Sequence, residues 1–397
     1  MTDLLFFGLF FAAIAIGWML GRHARRHDVS ARYFSSELQG SQYPADTAID
    51  SLVEDLSADS GNTRTRMALG VQLRKRGEVE GAVRIHQELL ARSGLSTGDL
   101  AQARLELARD YISAGLLDRA EELLLELIRD SPGQSQAGRR HLLEIYEIER
   151  DWRRAIEVAR PLLPRKLARK SAAGEANLGP GQRVAQRLAH YGCELAEEER
   201  LGGDLAAARA LLREALARDK CSVRASMLLA QVEWDAGHYS QAAQSLRRVR
   251  VQDPDYLPET IELLRKCYTA MTDKESLREY LLECLRARPT PALVAAVAED
   301  MARTEGDMAA SEFLAKQLVE YPSLRGLTQL IGLQRNTSDK LARPDLELLQ
   351  GLGQRLVAIR PAYRCGHCGF AGKHLHWQCP GCKHWGSIKA IDSPGSL

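Results

Sequence analysis

The chain has 397 residues, of which 45% are apolar and 27% charged, usage that fits two or three globular domains and excludes wholesale disorder. Its 54 basic and 52 acidic residues leave a formal charge of +2, so net charge calls for neither nucleic acid nor an acidic substrate.

Four of the seven Phe (Phe6, Phe7, Phe10, Phe11) fall in the first eleven residues. They belong to Leu4–Leu20, LLFFGLFFAAIAIGWML, seventeen residues without a charge. At about 1.5 Å per residue this run reaches roughly 25 Å, the short end of a membrane-spanning helix. Trp18 stands at an interfacial position, and Arg22, Arg25 and Arg26 follow. A cleaved secretory signal carries its charge before the apolar run and a small-residue site after it; neither is present. The expectation is an uncleaved anchor over residues 1–21, with the N-terminus outside and the bulk of the chain in the cytoplasm. Cys193, Cys221, Cys267 and Cys284 are scattered at no disulfide-like spacing, which suits a reducing compartment.

The next 300 or so residues carry a repeat, and missing it would miscall the fold. Leu107-Ala108, Tyr111, Gly115, Ala120 and Pro132 stand at the offsets of the 34-residue tetratricopeptide (TPR) pattern. Small residues let two antiparallel helices approach, Gly ends the first helix, and Pro stops the second. With the turn residue as ruler, the turns fall at Tyr43, Gly77, Gly115, Arg150, Gly203, Gly237, Thr272 and Gly306. The small position five residues on reads Ala48, Ala82, Ala120, Ala155, Ala208, Ala242, Leu277 and Ser311. The predicted fold class is therefore all-α: an N-terminal transmembrane helix, a TPR solenoid of about eight repeats over 22–325, and a small C-terminal metal knuckle. An insertion near 165–183 has SAAGEANLGPGQ (Ser171–Gln182) as its core. Residues 326–360 read as closing helices, with Leu346, Leu349, Leu352 and Leu356 at helical spacing. Such arrays bind other proteins and seldom catalyse. The pairs Arg153-Arg154 and Arg247-Arg248 read as solvated helix faces, with an acidic-peptide groove as the sharper alternative.

The tail, 361–397, holds half of the eight cysteines. Cys365-Gly-His-Cys368 and Cys379-Pro-Gly-Cys382 are two CxxC turns, each aiming two sulfurs at one point, the pattern of a tetrahedral site for one metal ion. Spacing does not choose between zinc and iron, since S₄ suits both. His367, His374, His376 and His384 are alternative ligands or neighbours of the set. Four Cys leave no open position, so no catalytic role is expected. Arg364, Lys373, Lys383 and Lys389 make the tail basic, and Trp377 and Trp385 are expected to pack it onto a neighbour, the last TPR helices being one candidate. No GxxxxGK[ST], HExxH or GxSxG motif occurs, and no acid, base or nucleophile constellation can be named.

The order of anchor, TPR array and CxxC tail covers the whole chain. Three stretches, RGEVEGAVRIHQELL (Arg76–Leu90), HYGCELAEE (His190–Glu198) and YRCGHCGF…WQCPGCKHWGSIKAI (Tyr363–Ile391), resemble the lipopolysaccharide assembly protein B (LapB, formerly YciM) family of Gram-negative bacteria. The resemblance implies a rubredoxin-type tail packed on the array, with metal ligands at Cys365, Cys368, Cys379 and Cys382. It also implies an inner-membrane adaptor that works with the membrane protease FtsH and promotes degradation of LpxC, the deacetylase that commits lipid A synthesis. The sequence departs from the family in the Ser171–Gln182 insertion and in its first repeat. Two other readings stay open: a membrane-tethered electron-transfer protein with iron in the S₄ site, and a non-proteolytic scaffold for lipopolysaccharide enzymes. Self-association and the sensing of lipopolysaccharide level are not legible.

Overall fold

The structure, a computed structural model, describes residues 63–163, 180–337 and 343–391. The anchor Leu4–Leu20, the first repeat with Tyr43 and Ala48, and positions 171–179 of the insertion lie outside the described residues. No helix of the described residues is long and apolar enough to cross a membrane.

Among the described residues are sixteen α-helices and three short strands, in two compact units that meet between Asp151 and Trp152. The first unit holds α1 (Thr63–Arg76), α2 (Val79–Leu90), α3 (Thr97–Ser113), α4 (Leu117–Asp130) and α5 (Ser135–Glu149). The second opens with α6 (Trp152–Ala159), α7 (Pro180–Leu201), α8 (Leu205–Arg218), α9 (Val223–Asp235), α10 (Tyr239–Gln252) and α11 (Leu257–Ala270). It continues with α12 (Lys274–Ala287), α13 (Pro291–Thr304), α14 (Asp307–Glu320), α15 (Leu324–Thr337) and α16 (Arg343–Ile359). Its last elements are β1 (Tyr363–Cys365), β2 (Ala371–Gly372) and β3 (Ile388–Ala390).

Within each unit the helices form TPR-type antiparallel pairs. All seven described turn residues have positive φ: Gly77, Gly115, Arg150, Gly203, Gly237, Thr272 and Gly306. In six of these turns the next N–H reaches back to the carbonyl five residues earlier, as Leu116 does to Tyr111 and Asp204 to Glu199. This is the Schellman closure, which requires a left-handed residue at the turn. Five residues beyond each turn, Ala82, Ala120, Ala155, Ala208 and Ala242 are fully buried, with Leu277 almost so. A larger side chain there would hold the paired helices apart. The last repeat departs from the expectation. Gly306 itself donates to the Met301 carbonyl, so the turn is one residue shorter and Ala310 is the buried small residue. Ser311, read from the ruler, is only half-buried.

In α16 the predicted apolar positions split. Leu346 is half-buried, whereas Leu349, Leu352 and Leu356 are exposed. The helix packs on α15 through Gly353, which lies against Thr328. The closing strands form one antiparallel sheet in the order β2-β1-β3, with Tyr363 opposite Gly372 and Ala390, and Cys365 opposite Ile388.

Candidate metal centre

The four tail cysteines sit on two turns of the same construction. In the first, Gly369 N–H bonds the Cys365 carbonyl (3.0 Å), Cys365 N–H bonds the Phe370 carbonyl (2.7 Å), and Gly369 has φ 77°. In the second, Lys383 N–H bonds the Cys379 carbonyl (2.9 Å), Cys379 N–H bonds the His384 carbonyl (2.9 Å), and Lys383 takes φ 59°. Each turn therefore presents two sulfurs on one side.

The four Sγ atoms lie within 4.8 Å of one another. The pairs Cys365–Cys382 and Cys368–Cys379, each with one sulfur per turn, are 3.7 Å apart. A tetrahedral S₄ site with metal–sulfur bonds of about 2.3 Å has S···S edges of about 3.8 Å, so the donor set fits one zinc- or iron-sized ion. Cys365 and Cys379 are buried, Cys382 half-buried and Cys368 exposed. His367 N–H points at the Cys365 sulfur (3.4 Å), and the Ser387 hydroxyl lies 3.3 Å from it. Burial opposes ionisation of Cys365, but the Ser387 hydroxyl and the Cys368 and His367 N–H groups outweigh it and draw the thiol down to about 6. Burial and the neighbouring thiols push Cys382 up to about 12.

Elsewhere the thiols behave as small apolar residues. Cys193 and Cys267 are fully buried, and burial raises them to about 12 and about 11. Of the four tail histidines, His367 and His384 stack on each other at 3.7 Å, His376 lies edge-on to Phe370, and His374 is exposed.

The module docks on α6, α7, α9 and the turn into α11. Trp385 packs against Trp152 of α6, His190 and Tyr191 of α7, and lies under the Arg224 guanidinium of α9. Trp377 stacks on Tyr256 in the 3₁₀ turn that leads into α11, and the Tyr256 hydroxyl reaches the carbonyls of Gly386 and Ile388. Lys389 bridges Asp253 and Asp255, so one cation of the expected basic surface is spent on the joint. The Tyr363 hydroxyl donates to Glu259 (2.8 Å). His190, Tyr256, Arg224, Asp253 and Asp255 were not singled out from sequence as docking residues. The one available signal was the Asp-Pro-Asp-Tyr acid pair opposite a basic tail.

The arginine pairs also divide. Arg153 is exposed beside Glu199, whereas Arg247 lies over the Tyr280 ring at 4.9 Å. Arg153, Arg160 and Arg218, together with Glu157 and Glu214, rim a cavity of about 240 Å³ between α6, α7 and α8, with Leu188 and Leu211 in its wall.

The sequence pattern described as Rubredoxin metal binding domain matches residues 363–390, and the Tetratricopeptide repeat pattern matches 201–285. Over its length the chain is 32% identical to lipopolysaccharide assembly protein B of Escherichia coli strain K12, covering 98% of each chain. The chain belongs to the lipopolysaccharide assembly protein B family. A second member, from Haemophilus influenzae strain Rd, is 30% identical over 99% of each chain.

Proposed function

We propose that this chain is an inner-membrane adaptor that limits lipopolysaccharide synthesis by bringing LpxC to the protease FtsH. Membership of a family named for lipopolysaccharide assembly, over almost the whole chain, is the observation that carries the reading. The architecture supports it. A TPR array offers binding surface.

In this reading Leu4–Leu20 anchors the chain with its N-terminus periplasmic. Confining the array to the membrane plane raises its effective concentration near a membrane protease. Cys365, Cys368, Cys379 and Cys382 hold one zinc or iron ion. The ion supplies a structural cross-link that folds a segment too short for its own core. The remaining residues of the module then hold the sheet against α7, α9 and α11. Because the thiols must lose their protons, occupancy rises with pH.

The exposed Cys368 edge favours one other reading, an iron S₄ centre that passes electrons at the membrane. The test combines metal analysis with LpxC turnover in cells. A colourless zinc protein, loss of turnover on deletion of 4–20, and loss in Cys365→Ser support the adaptor. Full turnover by the anchorless chain overturns the tethering. A red iron protein whose bands bleach on reduction supports electron transfer.

A further inference from the structure

We propose that the outer face of α16 is a self-association surface, which pairs antiparallel with α16 of a second copy of the chain. Among the described residues thirteen large apolar side chains are exposed, and five of them, Leu348, Leu349, Leu352, Leu356 and Ile359, lie on this one helix of 17 residues. The helix packs on α15 through its opposite side, where Leu346, Gln350 and Val357 are half-buried and Gly353 is buried. It is the last of the described helices. The end of a repeat array stays soluble by itself when its outer face is polar, so an apolar face there calls for a cover.

The spacing of the stripe suits a helix as its cover. Leu349, Leu352, Leu356 and Ile359 are separated by three, four and three residues, the seam of a two-helix coil over two heptads. The flanking charges select a second copy, running antiparallel. Asp345 stands one turn before Leu349, and Arg360 directly follows Ile359. In an antiparallel pair Leu349 meets Ile359 of the partner subunit and Leu352 meets Leu356 of the partner subunit, and the two-fold axis repeats both layers. The same alignment brings Asp345 toward Arg360 of the partner subunit at each end of the seam, and lays the Arg355 stem along Leu348 of the partner subunit. Parallel copies would instead set Asp345, Arg355 and Arg360 each beside its own like.

Two heptads are too few to hold free peptides together, because a short isolated helix must first be ordered. Here α15 already orders α16, with Gly353 against Thr328 and Gln350 against Gly332, so pairing meets only the cost of association. A lipid surface fits the stripe less well. A helix lying in the bilayer interface keeps its charges on the polar face, whereas Asp345 lies in line with the stripe and would enter the acyl boundary. The proposal is independent of the adaptor reading and of the four-cysteine site.

Sedimentation of the full chain in detergent, over a range of concentrations, reads the association. The parent should pass from one copy to two as concentration rises. Leu352→Lys and Leu356→Glu each bury a charge against a leucine of the other copy, and each should weaken pairing by at least about tenfold. Both positions are exposed in the single chain, so far-UV circular dichroism and metal content should stay at the parent values. The two variants mixed should pair again, since the antiparallel register sets the introduced lysine of one against the introduced glutamate of the other and keeps a leucine layer beside them. A parent that remains a single copy at every concentration overturns the surface. Variants that pair as tightly as the parent place the contact elsewhere and overturn it too. Two weakened variants that fail to pair when mixed overturn the antiparallel register.

Discussion

The imidazole of His190, on α7, stacks on the indole of Trp385, in the metal module, at 4.8 Å with the planes 20° apart. His190 is 5% exposed, and its Nδ1 has no hydrogen-bond partner among the described residues. Burial, and secondarily the Arg224 cation that also covers Trp385, push its pKa down to about 3. The joint between array and module is thus built on a neutral imidazole, and a proton there would have neither water nor an anion to receive it.

The pH dependence follows. The unfolded chain protonates His190 near pH 6.5, and the folded chain only near 3. As pH falls, the unfolded state takes up the proton first, so this contribution to stability is fully present above about pH 6.5 and is lost progressively toward pH 3. The loss approaches about 1.4 kcal/mol per pH unit. His190→Phe keeps an aromatic ring and removes the titration. Urea unfolding at pH 7.5 and 5.5 should therefore show the parent losing about 1.4 kcal/mol more than the variant. Equal losses in both would show that His190 is solvated. Glu106 and Asp255 do not confuse the window. Both carboxyls are held below their ordinary values against the opposing effect of burial, Glu106 by Arg74 and Asp255 by Lys389, so their contributions vanish only at more acid pH.

Tyr256→Phe tests the second anchor. The hydroxyl lies 3.0 Å from the Gly386 carbonyl and 2.9 Å from that of Ile388, beneath the stacked Trp377. Removing it leaves two carbonyls facing a ring edge, at a cost of about 1–2 kcal/mol. Amide exchange in β3 should quicken while the metal content stays at the parent value. Unchanged exchange would mean that stacking alone holds the joint.

These two anchors mark where sequence reading stopped. Gly77, Gly115, Gly203 and Gly237 were legible because a left-handed turn selects glycine and the period repeats the demand. The same ruler placed Ser311 one residue out, because a shorter closure at Gly306 leaves no trace in residue type. The convergence of the four sulfurs was legible because CxxC turns constrain both partners locally. The docking was not. Tyr256 lies 132 residues from Ile388, and it bonds backbone carbonyls, which every residue carries. His190 stood inside a recognisable stretch without a role, since nothing local tells a buried neutral histidine from an exposed one.

The α15–α16 contact should be intolerant of one methyl group. A Cβ on Gly353 would lie 2.6 Å from the Thr328 hydroxyl, which is itself bonded to the Leu324 carbonyl. Gly353→Ala should cost about 1–3 kcal/mol through overpacking, against the usual helix preference for Ala over Gly. Thr328→Ala in the same chain should recover most of that loss, since the two sites share one contact. A Gly353→Ala chain as stable as the parent would show that the helices separate freely.

Thr272 makes the opposite prediction, a gain. It holds φ 59° at a turn where four of the other six described repeats use Gly with the same closing hydrogen bond. For a β-branched residue this conformation is strained by about 1–2 kcal/mol. The side chain is exposed, and its hydroxyl does no more than bond the adjacent Met271 carbonyl. Glycine removes the strain but adds freedom to the unfolded chain, which takes back about 0.5–1 kcal/mol. Thr272→Gly should therefore stabilise the second unit by about 0.5–1 kcal/mol, read as a higher thermal midpoint, while Thr272→Val gains nothing because its branched Cβ keeps the strain. If Thr272→Gly unfolds earlier than the parent, the entropy of the unfolded chain outweighs turn strain, and the non-glycine residues at this turn and at Arg150 are the more stable choice.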